Sequence, residues 1–186
     1  MAYVALTLFN ARLFQNAASH TLEGQIRAEE QHTSVPSAAT AKEGDVLGRI
    51  EIPRISLSVV ILQGTTSKTL RLGVGHIDGT ALPGTSGNIG IAGHRDTFFR
   101  GLKDIHKDDR ILLQTPSGIA RYEVDWIQIT GPDDGGIVGS TKDSTLTLVT
   151  CYPFHYIGAA PERYIVHAHR QEVAVTDPLT VATTLR

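Results

Sequence analysis

The chain has 186 residues, 41% of them hydrophobic, and a formal net charge of −2 at pH 7. That is enough apolar material for one domain core plus appendages, and so balanced a charge excludes a polyanion-binding protein, nucleic acid included. One cysteine excludes an internal disulfide framework.

Residues 3 to about 31 read as a helix. Leu6, Phe9, Leu13, Phe14 and Ala17 recur near helical spacing, and glycine is absent until Gly24. The apolar start, Ala2 to Phe9, is far shorter than the ~20 residues a membrane span needs. It also lacks the basic flank and cleavage site of a signal peptide. It begins mid-pattern after Met1, as expected of the stub that follows a membrane anchor. Residues 32–45 have linker composition. The helix therefore reads as a juxtamembrane spacer, and removing the first 40 residues is expected to leave the folded domain intact.

From Val46 the texture changes to short β-type runs broken by turn residues. Strands are expected over 46–52, 57–62, 89–93, 110–114, 119–129, 145–151 and 164–168. Thr115-Pro116-Ser117-Gly118 reads as a hairpin connection. Short helical turns are expected over 67–72 and 98–105. Many short strands at this spacing predict an antiparallel barrel or sandwich over 46–170, with a polar tail over 171–186.

The run Ser144 to Val149 is β-branched and apolar, and it ends at Thr150-Cys151. Pro153 cannot donate to a sheet ladder, so the strand stops near there. A lone thiol has three readings: inert core filler, surface thiol or nucleophile. A rigid strand end suits the third, since the backbone is fixed and the side chain can reach a cleft.

A cysteine nucleophile needs an imidazole. Of eight histidines, His20 and His32 fall in the helix and linker. His106 lies in a charged run and reads as solvated. His155 follows Pro153 with no clear geometry. His76, His167 and His169 read as barrel residues. His94 closes Ile89-Gly90-Ile91-Ala92-Gly93, so it too stands at a strand end. Arg163 opens a strand, and Arg163, Ile165 and His167 share one of its faces. A guanidinium there can stabilise the oxyanion of acyl transfer or hold a substrate backbone.

The order of these residues resembles the sortase family. Leu148-Val149-Thr150-Cys151 is similar to its Leu-x-Thr-Cys motif, Asn88 to His94 to its histidine segment, and Arg163 stands where its arginine follows the cysteine. His94-Arg95-Asp96, Cys151-Tyr152-Pro153-Phe154 and Ala160-Pro161-Glu162-Arg163 resemble class D members most. The resemblance covers roughly 44–170.

It implies an all-β fold: a closed eight-stranded barrel with short helical turns, preceded by the N-terminal helix. It also implies a cysteine transpeptidase on the extracytoplasmic face of the cell membrane, held by an N-terminal anchor. Such an enzyme cuts a Leu-Pro-x-Thr-Gly-like sorting signal after threonine. It passes the acyl group to an amine on peptidoglycan or a protein lysine. Cys151, His94 and Arg163 are the implied catalytic residues; Ala92 and Thr150 are the candidate substrate-binding ones. For Thr150, a hydroxyl that shapes the site and plain strand filler both stay open. Asp96 reads as a solvated loop carboxylate, and the acidic pairs Asp108-Asp109 and Asp133-Asp134 as solvated loops. No cofactor is implied, and Cys151 with His94 and His155 matches no standard zinc spacing. A hydrolytic cysteine peptidase of the same fold and a non-enzymatic surface barrel are the alternatives.

Overall fold

Eight stretches of aliphatic and β-branched residues pair into one closed barrel in the computed structural model, which describes residues 2–30, 41–156 and 158–172. In chain order they are β1 (Val46–Ile52), β2 (Leu57–Gln63), β3 (Val74–His76), β4 (Asn88–Gly93), β5 (Arg110–Thr115), β6 (Gly118–Thr130), β7 (Thr145–Tyr152) and β8 (Glu162–Arg170). Around the barrel the order is β1-β2-β3-β4-β7-β8-β6-β5. The helix α1 (Ala2–Glu30) precedes it, and a single turn, α2 (Ser67–Leu70), lies between β2 and β3. Most of the expected linker, up to residue 40, and the tail from 173 lie outside the described residues, as do the side chains of Leu6 and Phe9.

The closed eight-stranded barrel is the expected architecture, with two differences. β3 is only three residues long, and a run of that length containing a glycine carries no periodic signal. The barrel is not wholly antiparallel, because β2 pairs with β3, and β4 with β7, in parallel. A parallel pair needs a long crossover, and the chain between β4 and β7 supplies one that contains the whole β5–β6 hairpin. That hairpin turns where expected: Thr115 pairs with Gly118, whose φ of +125° favours glycine.

The barrel interior is a packed core. Ile50, Ile52, Ile61, Ile89, Ile91, Ile111, Leu113, Leu146, Leu148 and Val166 are fully buried in one cluster. A barrel of this size is filled by side chains, so polar chemistry has room only on the outer surface. Asp109, read as half of a solvated acidic pair, is instead buried. Its carboxylate accepts from Arg54 Nε at 2.6 and 2.8 Å and from the His106 backbone N–H at 2.7 Å, tying the β1–β2 turn to the start of β5.

The N-terminal helix is docked on the barrel wall. Ala18 is buried against Val60 and Leu62, with Phe14, Val46 and Leu72 packed around them. Gln15 takes the place of a missing strand partner: its Oε1 accepts from the Val60 N–H at 3.0 Å and its Nε2 donates to Leu72 O at 2.5 Å. Ser19 Oγ accepts from Arg49 Nη2. A spacer reading misses this because the buried stripe is built from Ala11, Ala18 and Leu22, while Leu13 is exposed.

His76 is the one histidine in the barrel wall that is fully enclosed among the described residues. Its Nδ1 faces Gln63 Oε1 at 3.1 Å, and its Nε2 faces Ala81 O and Thr80 Oγ1, each at 3.0 Å. Burial holds its pKa below the ordinary imidazole value. The bond to the Ala81 carbonyl and the field of Asp78 oppose that shift only in part.

Two outcomes follow for stability. Gln15→Ala leaves the Val60 N–H and the Leu72 carbonyl unpaired, and is expected to lower the unfolding free energy by about 1–3 kcal/mol. Equal urea midpoints for variant and wild type would mean that the docked helix contributes nothing. For His76, the unfolded chain binds a proton that the native chain refuses, so stability rises with pH up to the unfolded value of about 6.5. Wild type should therefore lose more stability than His76→Gln when the pH is taken from 7.5 to 5.0, measured by denaturant melts at both.

Candidate active site

Alternation along β7 decides which side chains can react. Leu146 and Leu148 point into the core, so Thr150 points inward with them, and Thr147, Val149 and Cys151 face outward. On β8, Val166 and Ala168 belong to the core, which turns Arg163, Ile165 and His167 outward. The antiparallel register sets Cys151 directly opposite Arg163. Cross-strand neighbours share a face, with backbones about 5 Å apart. The thiol and the guanidinium therefore rise side by side from the outer wall, and both are half-buried.

β4 brings the imidazole. It runs parallel to β7, with Ala92 beside Val149 and Gly93 beside Thr150. One step further along each strand stand His94 and Cys151. Gly93 faces inward against the buried ring of Phe99; a Cβ there would lie 2.6 Å from Phe99 Cδ2. Only glycine allows that approach. The Phe99 N–H then returns to His94 O at 3.0 Å, so the first turn after β4 holds the histidine backbone.

One side-chain bond joins two of the strand ends, and a second set orients the arginine on the third. Thr150 Oγ1 donates to Gly93 O at 2.7 Å in a fully buried bond, locking β7 to β4 one residue before both Cys151 and His94. The hydroxyl is thus spent inside the wall, which supports a shaping role over direct contact with a ligand. Ala92, by contrast, lies on the outward face and is partly exposed. On the other side, Arg163 Nη1 donates to Glu162 O at 3.0 Å and Ala160 O at 3.3 Å. The first is the carbonyl of the opening residue of β8, and the second lies at the end of the β7–β8 connection. They orient the guanidinium and leave Nη2 and Nε free of protein partners among the described residues.

The connection is also anchored at its start. Tyr152, Phe154 and Tyr164 pack as an aromatic cluster with centroids 5.1–6.0 Å apart. Burial, then the neighbouring Tyr152 and Asp104, pushes the Tyr164 hydroxyl to a raised pKa. Arg95, directly after the histidine, donates from Nη2 to Tyr156 O at 2.7 Å and Gly158 O at 3.1 Å. His155 is exposed in this connection, and Asp96 is exposed as expected.

Beyond the connection stand residues to which the sequence reading gave no role at the site. Asn88 is buried on the outer face of β4, where it accepts from Thr147 Oγ1 at 2.8 Å and donates to Gly139 O at 3.1 Å. It thereby pins the β6–β7 connection over the sheet. No periodicity could have flagged this role; its place at the head of the histidine segment, an asparagine opening an apolar strand, was the signal. His167 and His169, read as barrel residues, face outward and share Asp125, at 3.0 and 2.6 Å, beside a stacked Trp126.

The fold and site define a class: a closed barrel whose outer wall carries a thiol, an arginine and a histidine at three adjacent strand ends. The family model described as Sortase domain matches residues 50–171, and the chain belongs to the sortase family. It is 38% identical over 128 residues to Sortase D of Bacillus subtilis (strain 168), a match covering 68% of this chain and 65% of that protein. The chain thus spans just under two thirds of that relative, and 39–55% of three other curated sortases. Among solved structures it is similar to a Clostridium perfringens Sortase D5 transpeptidase (TM-score 0.74, 28% identity, 86% of this chain and 99% of that one). It is also similar to Clostridium perfringens sortase C with the C-terminal cell wall sorting motif (TM-score 0.66, 27% identity, 85% and 89%).

The joint between β4 and β7 can be tested by itself. Thr150→Val keeps the shape of the side chain and deletes its donor, leaving Gly93 O short of a buried partner. The expected loss is about 1–3 kcal/mol of unfolding free energy, most of it restored by Thr150→Ser. A valine variant that melts with the wild type would remove the joint from the account of the site.

Proposed function

We propose that this chain is a cysteine transpeptidase that cleaves a Leu-Pro-x-Thr-Gly-like sorting signal after threonine and transfers the acyl group to an amine. The observation that carries the reading is the register that sets Cys151 opposite Arg163, with His94 ending the strand beside them, in a member of the sortase family. The Cys151 thiolate attacks the Thr–Gly carbonyl carbon. Arg163, through the donors not engaged by loop carbonyls, stabilises the oxyanion. His94 protonates the leaving glycine amine as the C–N bond breaks, giving a thioester. The incoming amine attacks that thioester, His94 takes up its proton, and the thiolate leaves.

The similar structure of Clostridium perfringens sortase C with the C-terminal cell wall sorting motif supports a peptide substrate of this kind. The family context supports action at the cell surface, with a peptidoglycan amine or a protein lysine as acceptor and a membrane anchor preceding α1. Among the described residues no helix is long and apolar enough to cross a membrane. Ala92, outward beside Val149, is the groove residue for the substrate backbone; Thr150 serves the site by positioning. Hydrolysis is the same chemistry with water as acceptor, and added amine separates the two.

The experiment is incubation with a panel of Leu-Pro-x-Thr-Gly-type peptides, with and without hydroxylamine or triglycine, read by mass spectrometry. Cleavage after threonine with amine-dependent product is expected. Cys151→Ala should abolish both cleavage and transfer, and Arg163→Lys should lose about 10²–10³ in rate because a point charge replaces a fork. Turnover by the alanine variant would end the reading.

A further inference from the structure

Arg95 is absorbed by no step of the proposed chemistry, yet it ties the end of the histidine strand to the connection that leads into β8 and Arg163. It directly follows His94 and is only partly exposed. From one nitrogen it donates to two backbone carbonyls, Tyr156 O at 2.7 Å and Gly158 O at 3.1 Å. Further along the same connection the Ala160 carbonyl accepts from Arg163 Nη1 at 3.3 Å, and the same nitrogen donates to the carbonyl of Glu162, the first residue of β8, at 3.0 Å. Two guanidiniums thus hold one strip of backbone from its two ends. Charge-assisted bonds of this kind are roughly twice as strong as neutral ones. Few other contacts hold the strip: its middle residues Tyr156, Gly158 and Ala159 are exposed, and the aromatic cluster anchors only its start.

We propose that Arg95 is a positioning residue for Arg163: it fixes the stretch of the connection whose Ala160 carbonyl helps to aim the oxyanion-binding guanidinium. The inference rests on the acyl-transfer role proposed for Arg163. Without Arg95 the Tyr156 and Gly158 carbonyls are released to solvent, and the Ala160 carbonyl two residues further on loses the frame that places it, while Glu162 stays paired with Tyr152 in the ladder. Arg163 then keeps its charge and its place in the β7–β8 ladder but loses its direction. Cys151 and the β4–β7 joint are untouched, because the Thr150–Gly93 bond does not pass through the connection. The effect should fall on the chemical step more than on peptide binding, since the donor is needed when charge develops on the carbonyl oxygen.

The test uses the full chain, the peptide selected by the panel above, and hydroxylamine as acceptor. Active wild type and inactive Cys151→Ala in the same assay establish the underlying chemistry independently of Arg95. Arg95→Ala is then expected to lower kcat about 10- to 100-fold, a misplacement effect, with KM changed less than about threefold and circular dichroism and Tm close to wild type. In an Arg163→Lys background the same change should cost less than about threefold, because the group it aims is already gone. Arg95→Lys, with one compact donor head, should recover part of the rate; it also serves as the variant for the cycle if the alanine form does not fold. Full kcat in Arg95→Ala, or losses that multiply in the double variant, would overturn the proposal while leaving the transpeptidase reading standing.

Discussion

The buried hydrogen bond from Thr150 Oγ1 to Gly93 O is the constraint on which the rest of the site depends. It joins two strands that run parallel, and parallel pairing is slightly weaker per residue than antiparallel. It sits at the last paired rung, where fraying would be greatest. One residue beyond it, on each strand, stand the proposed nucleophile and the proposed acid–base group. A fully enclosed bond resists competition from water, so the relative position of thiol and imidazole is set from inside the wall. Glycine at position 93 serves the same end, because it lets Phe99 press against the strand from the core side.

The chemistry is built outward because the barrel has no room inside. Aliphatic side chains fill the interior, and an ionised group there would face a large desolvation cost without a partner. On the outer wall the cost falls, but so does the built-in order, and loops must supply it. Two connections do this by different means. The β6–β7 connection is pinned by the buried amide of Asn88. The β7–β8 connection is held by an aromatic cluster at its start and by guanidiniums on its Tyr156, Gly158 and Ala160 carbonyls. Loop carbonyls that orient an arginine leave its remaining donors pre-aimed, the kind of preorganisation that electrostatic stabilisation of an oxyanion requires.

The docked helix follows similar rules on the far side. Gln15 supplies an amide where the strand β2 has no neighbour for its Val60 N–H. A side-chain amide has the same donor and acceptor as a peptide unit, so it can close a sheet edge that would otherwise be open. Small residues, Ala11 and Ala18, let the helix backbone approach the wall closely.

The sequence by itself determined the strand ends that carry chemistry. Pro153 two residues after Cys151, glycine before His94, and the parity of Arg163 with Ile165 and His167 are local signals, and each maps onto the observed register. Family motifs in the right order then fixed the barrel. What only the tertiary structure decided is how distant groups meet. The parallel pairing of β4 with β7 joins residues 57 apart in the chain and leaves no periodic trace. The docking face of α1 escaped because alanine and glutamine contribute little to a hydrophobic pattern. Arg95 and Asn88 stood within the family motifs, but their roles escaped because the groups they donate to are backbone carbonyls, which every residue possesses and no sequence pattern can distinguish; only the folded chain brings those carbonyls within hydrogen-bond reach.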